Sequence, residues 1–118
     1  MILSRLLFIC VLFAFGTPTF GKDPDCSGGW PTDMTFVHLK NAGITTNASV
    51  DFSKTKTVRL ASEKIGKDLY HQVYLVTFTE RSGKTIQAIA IHDASPEECS
   101  MTGVEVFVVS DHLNAERH

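Results

Sequence analysis

The stretch LYHQVYLVTFT, residues 69–79, defines the centre of the predicted fold. It is rich in β-branched and aromatic residues, which favour a strand. Alternation places Val73 and Leu75 on one face of that strand, and the other face receives Tyr70, Tyr74, Val76 and Phe78. Apolar residues on both faces are typical of a central strand that is covered on two sides. We therefore predict a central strand between two layers.

Turn-forming residues bound this strand on both sides. Residues 66–68 read Gly-Lys-Asp, and Ser82 with Gly83 marks a second reversal. Such short connections suit antiparallel hairpins. Alternating patterns predict three more strands, at residues 55–65, 85–91 and 104–109. Together these signals predict a four-stranded antiparallel β-meander.

One helix is predicted ahead of the sheet, at residues 33–42. Thr32 occupies the expected N-cap position, and Asp33 suits the positive end of the helix dipole. Gly43 followed by Ile44 predicts a left-handed stop with a hydrophobic contact. A helix of three turns needs a partner surface to be stable, so we expect it to pack on the sheet. The predicted class is α+β.

The third predicted strand suggests where the helix packs. Ile89 and Ile91 face one way, whereas Ile86, Ala88 and Ala90 face the other. Small alanine side chains leave room for a helix to approach closely. We call the face that carries Ile86, Ala88 and Ala90 the alanine face, and we expect the helix to pack on it.

The N-terminus has the order of a secretory signal peptide. Arg5 precedes an apolar run at residues 6–15, and breakers and small residues follow up to residue 21. The run is about half of the roughly twenty residues that a membrane-spanning helix needs. We predict a signal peptide at residues 1–21 and a single domain at residues 22–118. The mature chain would be secreted or periplasmic, with no stable membrane span after cleavage.

Export also determines how the cysteines are interpreted. Cys10 would leave with the signal peptide, so that Cys26 and Cys99 remain. An even pair in an exported chain favours a disulfide over a redox or metal site. We predict a Cys26 to Cys99 disulfide, which would support a small core.

Charge disfavours one class of partner. Without residues 1–21 the chain has ten basic and thirteen acidic side chains, a formal charge of −3. General nucleic-acid binding needs a basic face that neutralises phosphates. We therefore expect no general nucleic-acid binding.

The acidic loop after the third strand is the first candidate binding surface. Asp93, Glu97 and Glu98 lie in this loop, and Glu105 follows in the fourth strand. The first hairpin is instead basic, through Lys54, Lys56, Arg59, Lys64 and Lys67. Segregated charges would steer a charged partner. The alternative is an ordinary mixed surface.

Three aromatic residues are further binding candidates. Trp30 lies in a loop between glycine and proline, from which it would either cap the core or stay exposed. Tyr70 and Tyr74 share a strand face, and they would form an exposed stripe if the helix covered the opposite face.

Catalytic and metal signals are weak. The histidines have no zinc-ligand spacing, and no nucleophile motif occurs, so we predict no metal and no cofactor. His92 beside Asp93 at a strand end is the exception, because a carboxylate can orient an imidazole for hydrolysis. A small hydrolase or nuclease using His92 and Asp93, or other histidines, is the alternative function. A structural or envelope-associated protein without a discrete site is a third possibility. Asn47 begins a glycosylation sequon that would be used only in a eukaryotic source.

The arrangement resembles small periplasmic immunity proteins of bacteria, such as the colicin M immunity family. The shared features are an export signal, a cysteine before the first helix, an antiparallel sheet and a second cysteine near the last strand. Only Cys26 and Cys99 carry over from the resemblance, as a disulfide. It implies a protein that binds and neutralises a protein partner, such as a toxin or a secreted enzyme, without chemistry of its own.

Overall fold

The computed structural model describes residues 23–109, which form one helix and four strands. Residues 1–22 and 110–118 lie outside the described part, and with them the predicted signal peptide and the last residues of the predicted domain. Helix α1 and a short 3-10 turn precede the strands. The elements are α1 (Trp30–Asn41), the 3-10 turn (Phe52–Lys54), β1 (Lys56–Gly66), β2 (Leu69–Thr79), β3 (Thr85–Ala94) and β4 (Glu105–Val109).

The strands form one antiparallel sheet in the order β1-β2-β3-β4, as the sequence predicts. Strand β2 has the predicted bounds, and it pairs with β1 and β3 along its length. The two tight hairpins use left-handed residues, Asp68 at φ 56° and Gly83 at φ 96°. Such residues match the twist of antiparallel strands. The predicted meander is confirmed.

The end of α1 agrees with the prediction, whereas its start does not. Its stop is as predicted, because Gly43 has a φ of 75° and the Ile44 N–H donates to the Leu39 carbonyl at 2.9 Å. Its start is three residues earlier than predicted, with Pro31 in the first turn. Thr32 is not the N-cap, because its hydroxyl donates to the Ser27 carbonyl at 2.6 Å instead. Proline is tolerated in the first turn of a helix because the N–H that it lacks would have no acceptor within the helix there.

The helix packs on the alanine face of the sheet. Ala88, Ala90 and Ala94 are fully buried there, and Leu39 of α1 fills the space above them. Tyr74 pairs with Ala90 across the strands, so the tyrosine face and the alanine face are one surface. The core therefore lies between α1 and this face, and the expectation drawn from the alanines is confirmed.

The opposite face of the sheet is covered by no other element within residues 23–109. Strand pairing aligns two apolar rows there. One row runs from β1 to β4 through Val58, Leu75, Ile89 and Phe107, and a second through Ala61, Val73 and Ile91. We call these seven residues the open face. The prediction that the central strand is covered on two sides is wrong for the described residues, because one helix can cover only one face.

Buried polar groups attach the N-terminal segment to the sheet. The Tyr74 hydroxyl donates to Gln72 Oε1 at 2.7 Å and accepts the Cys26 N–H at 3.0 Å. Gln72 Nε2 donates to the Pro24 carbonyl at 2.7 Å. Cys26 is bonded to Cys99, with Cα atoms 5.8 Å apart, so the predicted disulfide is present. It links the segment before α1 to the loop before β4.

Candidate functional site

Two of the predicted acidic residues lie beside the open face. Asp93 follows Ile91 by two positions on β3, and therefore points to the same side of the sheet. Glu105 begins β4 directly opposite Ile91, also on this side. The structure thus brings Asp93 and Glu105 to one end of the apolar rows.

The other two acidic residues lie in the loop that follows β3. A tight turn forms because the Ser95 N–H donates to the Glu98 carbonyl at 2.8 Å and the Glu98 N–H donates back at 3.2 Å. Glu97 and Glu98 are exposed on this turn. Cys99 follows immediately, so the disulfide holds the acidic turn against the domain.

Asp93 pairs with a histidine that the sequence analysis did not select. His71 Nδ1 lies 2.6 Å from Asp93 Oδ1, and the two residues face each other across β2 and β3. Across the other pairing of β2, His71 lies opposite Glu63 of β1. The structure therefore does not form the predicted His92 and Asp93 pair. Adjacent residues of a strand point to opposite faces, so their side chains cannot meet.

His92 is buried on the helix side of the sheet, at 2 % exposure. Neither ring nitrogen has a hydrogen-bond partner among the described residues, and the ring lies 5.6 Å from that of Tyr74. Burial lowers the pKa of His92 from its usual 6.5, while the Cys99 backbone and the Asp93 carboxylate oppose part of that effect. His92 is therefore held neutral near pH 7.

We expect the protein to lose stability in mild acid, and we expect His92→Phe to abolish that loss. Because the folded-state pKa of His92 is depressed, the unfolded chain binds the proton more readily, and stability falls as the pH drops below about 6.5. Phenylalanine has no nitrogen to leave unpaired, so stability at neutral pH should be retained. Thermal melts between about pH 8 and pH 5 measure the difference. The exposed His38→Gln is the control and should keep the wild-type profile. An unchanged profile in His92→Phe would contradict the assignment.

These groups surround a shallow concavity of about 630 Å³ at the end of β3. Its lining includes His38, His71, His92, Asp93 and Glu105. Within residues 23–109, no group of three or more histidine, cysteine, aspartate or glutamate side chains is placed to hold a metal ion. The arrangement suits proton exchange at His71 or the binding of a cationic group by the carboxylates.

A second concavity, of about 690 Å³, lies between the first half of α1 and the 3-10 turn. Its floor is an aromatic cluster in which the ring centroids of Phe36 lie 4.9 Å from Phe52 and 5.7 Å from Phe78. Asp33 is the only ionisable residue of its lining. Of these two concavities, the one at the end of β3 therefore carries most of the titratable groups.

The aromatic candidates contribute to the core. Tyr70 and Tyr74 are buried because the helix covers their face, so the expected exposed stripe does not form. Trp30 is half-buried against the core, and its indole N–H donates to the Thr102 carbonyl at 3.0 Å. This matches the core-capping alternative. In the described structure all three residues are therefore at least partly buried, and their role in binding stays a prediction.

The basic hairpin is less uniform than its sequence indicates. Arg59 Nη1 lies 3.3 Å from Asp23 Oδ1 and donates to the Pro24 carbonyl at 2.7 Å. Glu63 lies among the basic residues of β1. Strand β1 forms one edge of the sheet, and β4 forms the other. The positive charge of the β1 edge is partly compensated by these acidic residues.

Sequence reasoning missed the open face as an exposed surface. Val73 and Leu75 were assigned to one face of β2, and Ile89 and Ile91 to one face of β3, but β2 was interpreted as covered on both sides. The signal that could have shown otherwise is the count of elements, since a single predicted helix cannot cover both sides of a sheet.

No protein-family model, curated protein or solved structure matches this chain. No helix within residues 23–109 has the length and apolar character that crossing a membrane requires.

Proposed function

We propose that this chain is an exported binding protein that neutralises a protein partner by covering the partner's functional surface. The observation that carries the proposal is the open face, an apolar surface on a domain whose only described helix lies on the other side. Val58 and Phe107, at the two ends of one row, are each 54 % exposed. Contiguous exposed apolar surface of this kind marks an interaction site.

The border of the open face supports a protein partner with basic residues. Asp93 and Glu105 lie at one end of the apolar rows, and the exposed Glu97 and Glu98 lie in the adjoining loop. An apolar centre with a charged rim is the usual composition of a protein interface. The rim would raise the association rate and select a complementary partner, while the apolar rows would supply most of the affinity.

The resemblance to periplasmic immunity proteins is consistent with this mechanism. Such proteins act by occlusion and need no catalytic group of their own. The partner would then be a toxin or a secreted enzyme that is encountered outside the cytosol. The disulfide suits that location, since disulfides persist in oxidising compartments.

Leu75→Thr with Ile89→Thr is expected to weaken partner capture at least tenfold. Threonine has a β-branched side chain that suits a strand, but it removes apolar surface from the centre of the open face. The mature chain serves as bait for the exported proteins of its source, and the captured partner is quantified by mass spectrometry. Val37→Thr is the matched control, because Val37 is 39 % exposed on the helix, away from the open face. Equal capture by both variants would refute the proposed surface.

A second candidate function rests on the pairing of His71 with Asp93. A carboxylate 2.6 Å from an imidazole nitrogen can orient the ring as a general base, here at the edge of a concavity. That arrangement suits activation of water by a small hydrolase or nuclease. The test compares wild type with His71→Ala on nucleic-acid, ester and peptide substrates. Background turnover by both proteins would eliminate this candidate.

A further inference from the structure

We propose that the free edge of β4 binds β4 of a second copy of this chain in antiparallel orientation, forming a two-fold dimer with a continuous eight-stranded sheet. The inference concerns the edge of the sheet, whereas the proposed function concerns its open face. The proposed dimer can therefore be tested without knowing the partner.

Strand β4 has the properties of an unprotected sheet edge. Within residues 23–109 it pairs with β3 alone, which leaves one side without a strand partner. Its sequence, Glu-Val-Phe-Val-Val, contains no proline, lysine or glycine, and its pairing with β3 has no bulge. Phe107, Val108 and Val109 are all exposed. Natural proteins usually protect such an edge with charges, proline or bulges, and a bare apolar edge is a site for strand addition.

The opposite edge of the sheet is protected in these ways. Strand β1 has irregular register between Arg59 and Ala61 and again between Lys64 and Gly66. It carries several charged side chains, and the N-terminal segment contacts it through the Asp23 pair with Arg59. Irregular pairing and charge both oppose the addition of a further strand. Association through the sheet should therefore use β4 alone.

The sequence of β4 is complementary to itself when the two strands run antiparallel. With Phe107 at the two-fold axis, Phe107 faces its own copy, and Val106 faces Val108 of the second copy. Glu105 faces Val109 of the second copy, and the two Glu105 residues lie about 13 Å apart along the strands at about 3.3 Å per residue. Like charges are not opposed, and aromatic and β-branched cross-strand pairs are favourable.

A second copy would also cover the apolar surface on both sides of β4. On the helix side, Ile44 and Val108 border a groove between α1 and β4, and both are exposed. On the other side, the row that ends at Phe107 would continue into the same row of the second copy. The chain's own residues 110–118 suit this position poorly, since Leu113 and Ala115 are their only apolar members.

The first test is the oligomeric state of the mature chain, residues 22–118, by sedimentation equilibrium over a range of concentrations. We expect a reversible dimer, and we expect Phe107→Lys to raise its dissociation constant at least tenfold. Val58→Lys is the matched control, because Val58 has the same 54 % exposure at the opposite end of the same row. It should leave the dimer intact. Circular dichroism establishes that both variants are folded, and an unfolded Phe107→Lys is replaced by Val108→Lys.

A second measurement tests the register. Phe107→Cys places two thiols opposite each other at the two-fold axis, so mild oxidation should give a covalent dimer that retains the Cys26 to Cys99 bond. Val58→Cys should form no covalent dimer under the same treatment. A wild-type chain that is monomeric at all concentrations would overturn the proposal, as would a dimer that is lost in Val58→Lys but kept in Phe107→Lys. A dimer that appears only when residues 110–118 are removed would assign the edge to that segment instead.

Discussion

Replacing both Cys26 and Cys99 by serine is expected to lower the free energy of unfolding by about 4 kcal/mol. The disulfide joins residues that are 73 positions apart, so it restricts most of the mature chain in the unfolded state. Residues 23–109 form one helix and one covered sheet face, and the apolar core between them is correspondingly small. Denaturant unfolding of the mature chain without reductant measures the loss.

Reduction of the wild-type disulfide provides the control for this prediction. Dithiothreitol should shift the wild-type denaturation midpoint toward that of the serine variant, and it should leave the variant unchanged. Intact-mass measurement before and after alkylation establishes whether the thiols are paired. Two thiols that are alkylated without reduction, or a wild-type midpoint that reductant does not move, would contradict the predicted contribution.

Leu39→Ala is expected to lower the free energy of unfolding by about 3 to 5 kcal/mol, enough to threaten folding of a domain of this size. Leu39 is 1 % exposed and lies where α1 meets the buried face of the sheet, so truncation would leave a cavity in the core. Denaturant titration of the oxidised mature chain measures the change.

Leu60→Ala is the matched control for Leu39→Ala. Leu60 is 53 % exposed at the irregular pairing of β1, so the same truncation there should cost less than about 0.5 kcal/mol. Equal losses in the two variants would contradict the assignment of the core to the helix side.

The open face and the β4 edge have related geometry. In the proposed dimer the row from Val58 to Phe107 would occur twice in one sheet, so two open faces would be adjacent. A dimeric partner, or one with two equivalent sites, would then bind with higher avidity than a single site permits. Partner capture by Val108→Lys would distinguish the effect of dimer loss from the effect of the open face, because Val108 pairs with Ala88 on the helix side of the sheet.

Local sequence patterns were sufficient to predict most of the secondary structure. Residues 69–79 have a strong strand signal, and the observed β2 has the same bounds. The stop of α1 at Gly43 depends on a left-handed residue and one neighbouring contact, both visible in the sequence. Cys26 and Cys99 were paired correctly because the predicted signal peptide contains Cys10, so that only two cysteines remained to be paired. These features depend on near neighbours or on simple elimination, which is why they could be predicted.

Contacts between distant residues account for what the sequence could not show. The sequence predicts Thr32 as the N-cap, but its hydroxyl donates a hydrogen bond to the Ser27 carbonyl. His92 was expected to meet Asp93, yet the register of β2 and β3 places His71 beside that carboxylate. The choice between burying and exposing Tyr74 depended on the side of the sheet that α1 occupies. Alternation along a strand defines two faces, but only packing determines which face is buried and which remains available for binding.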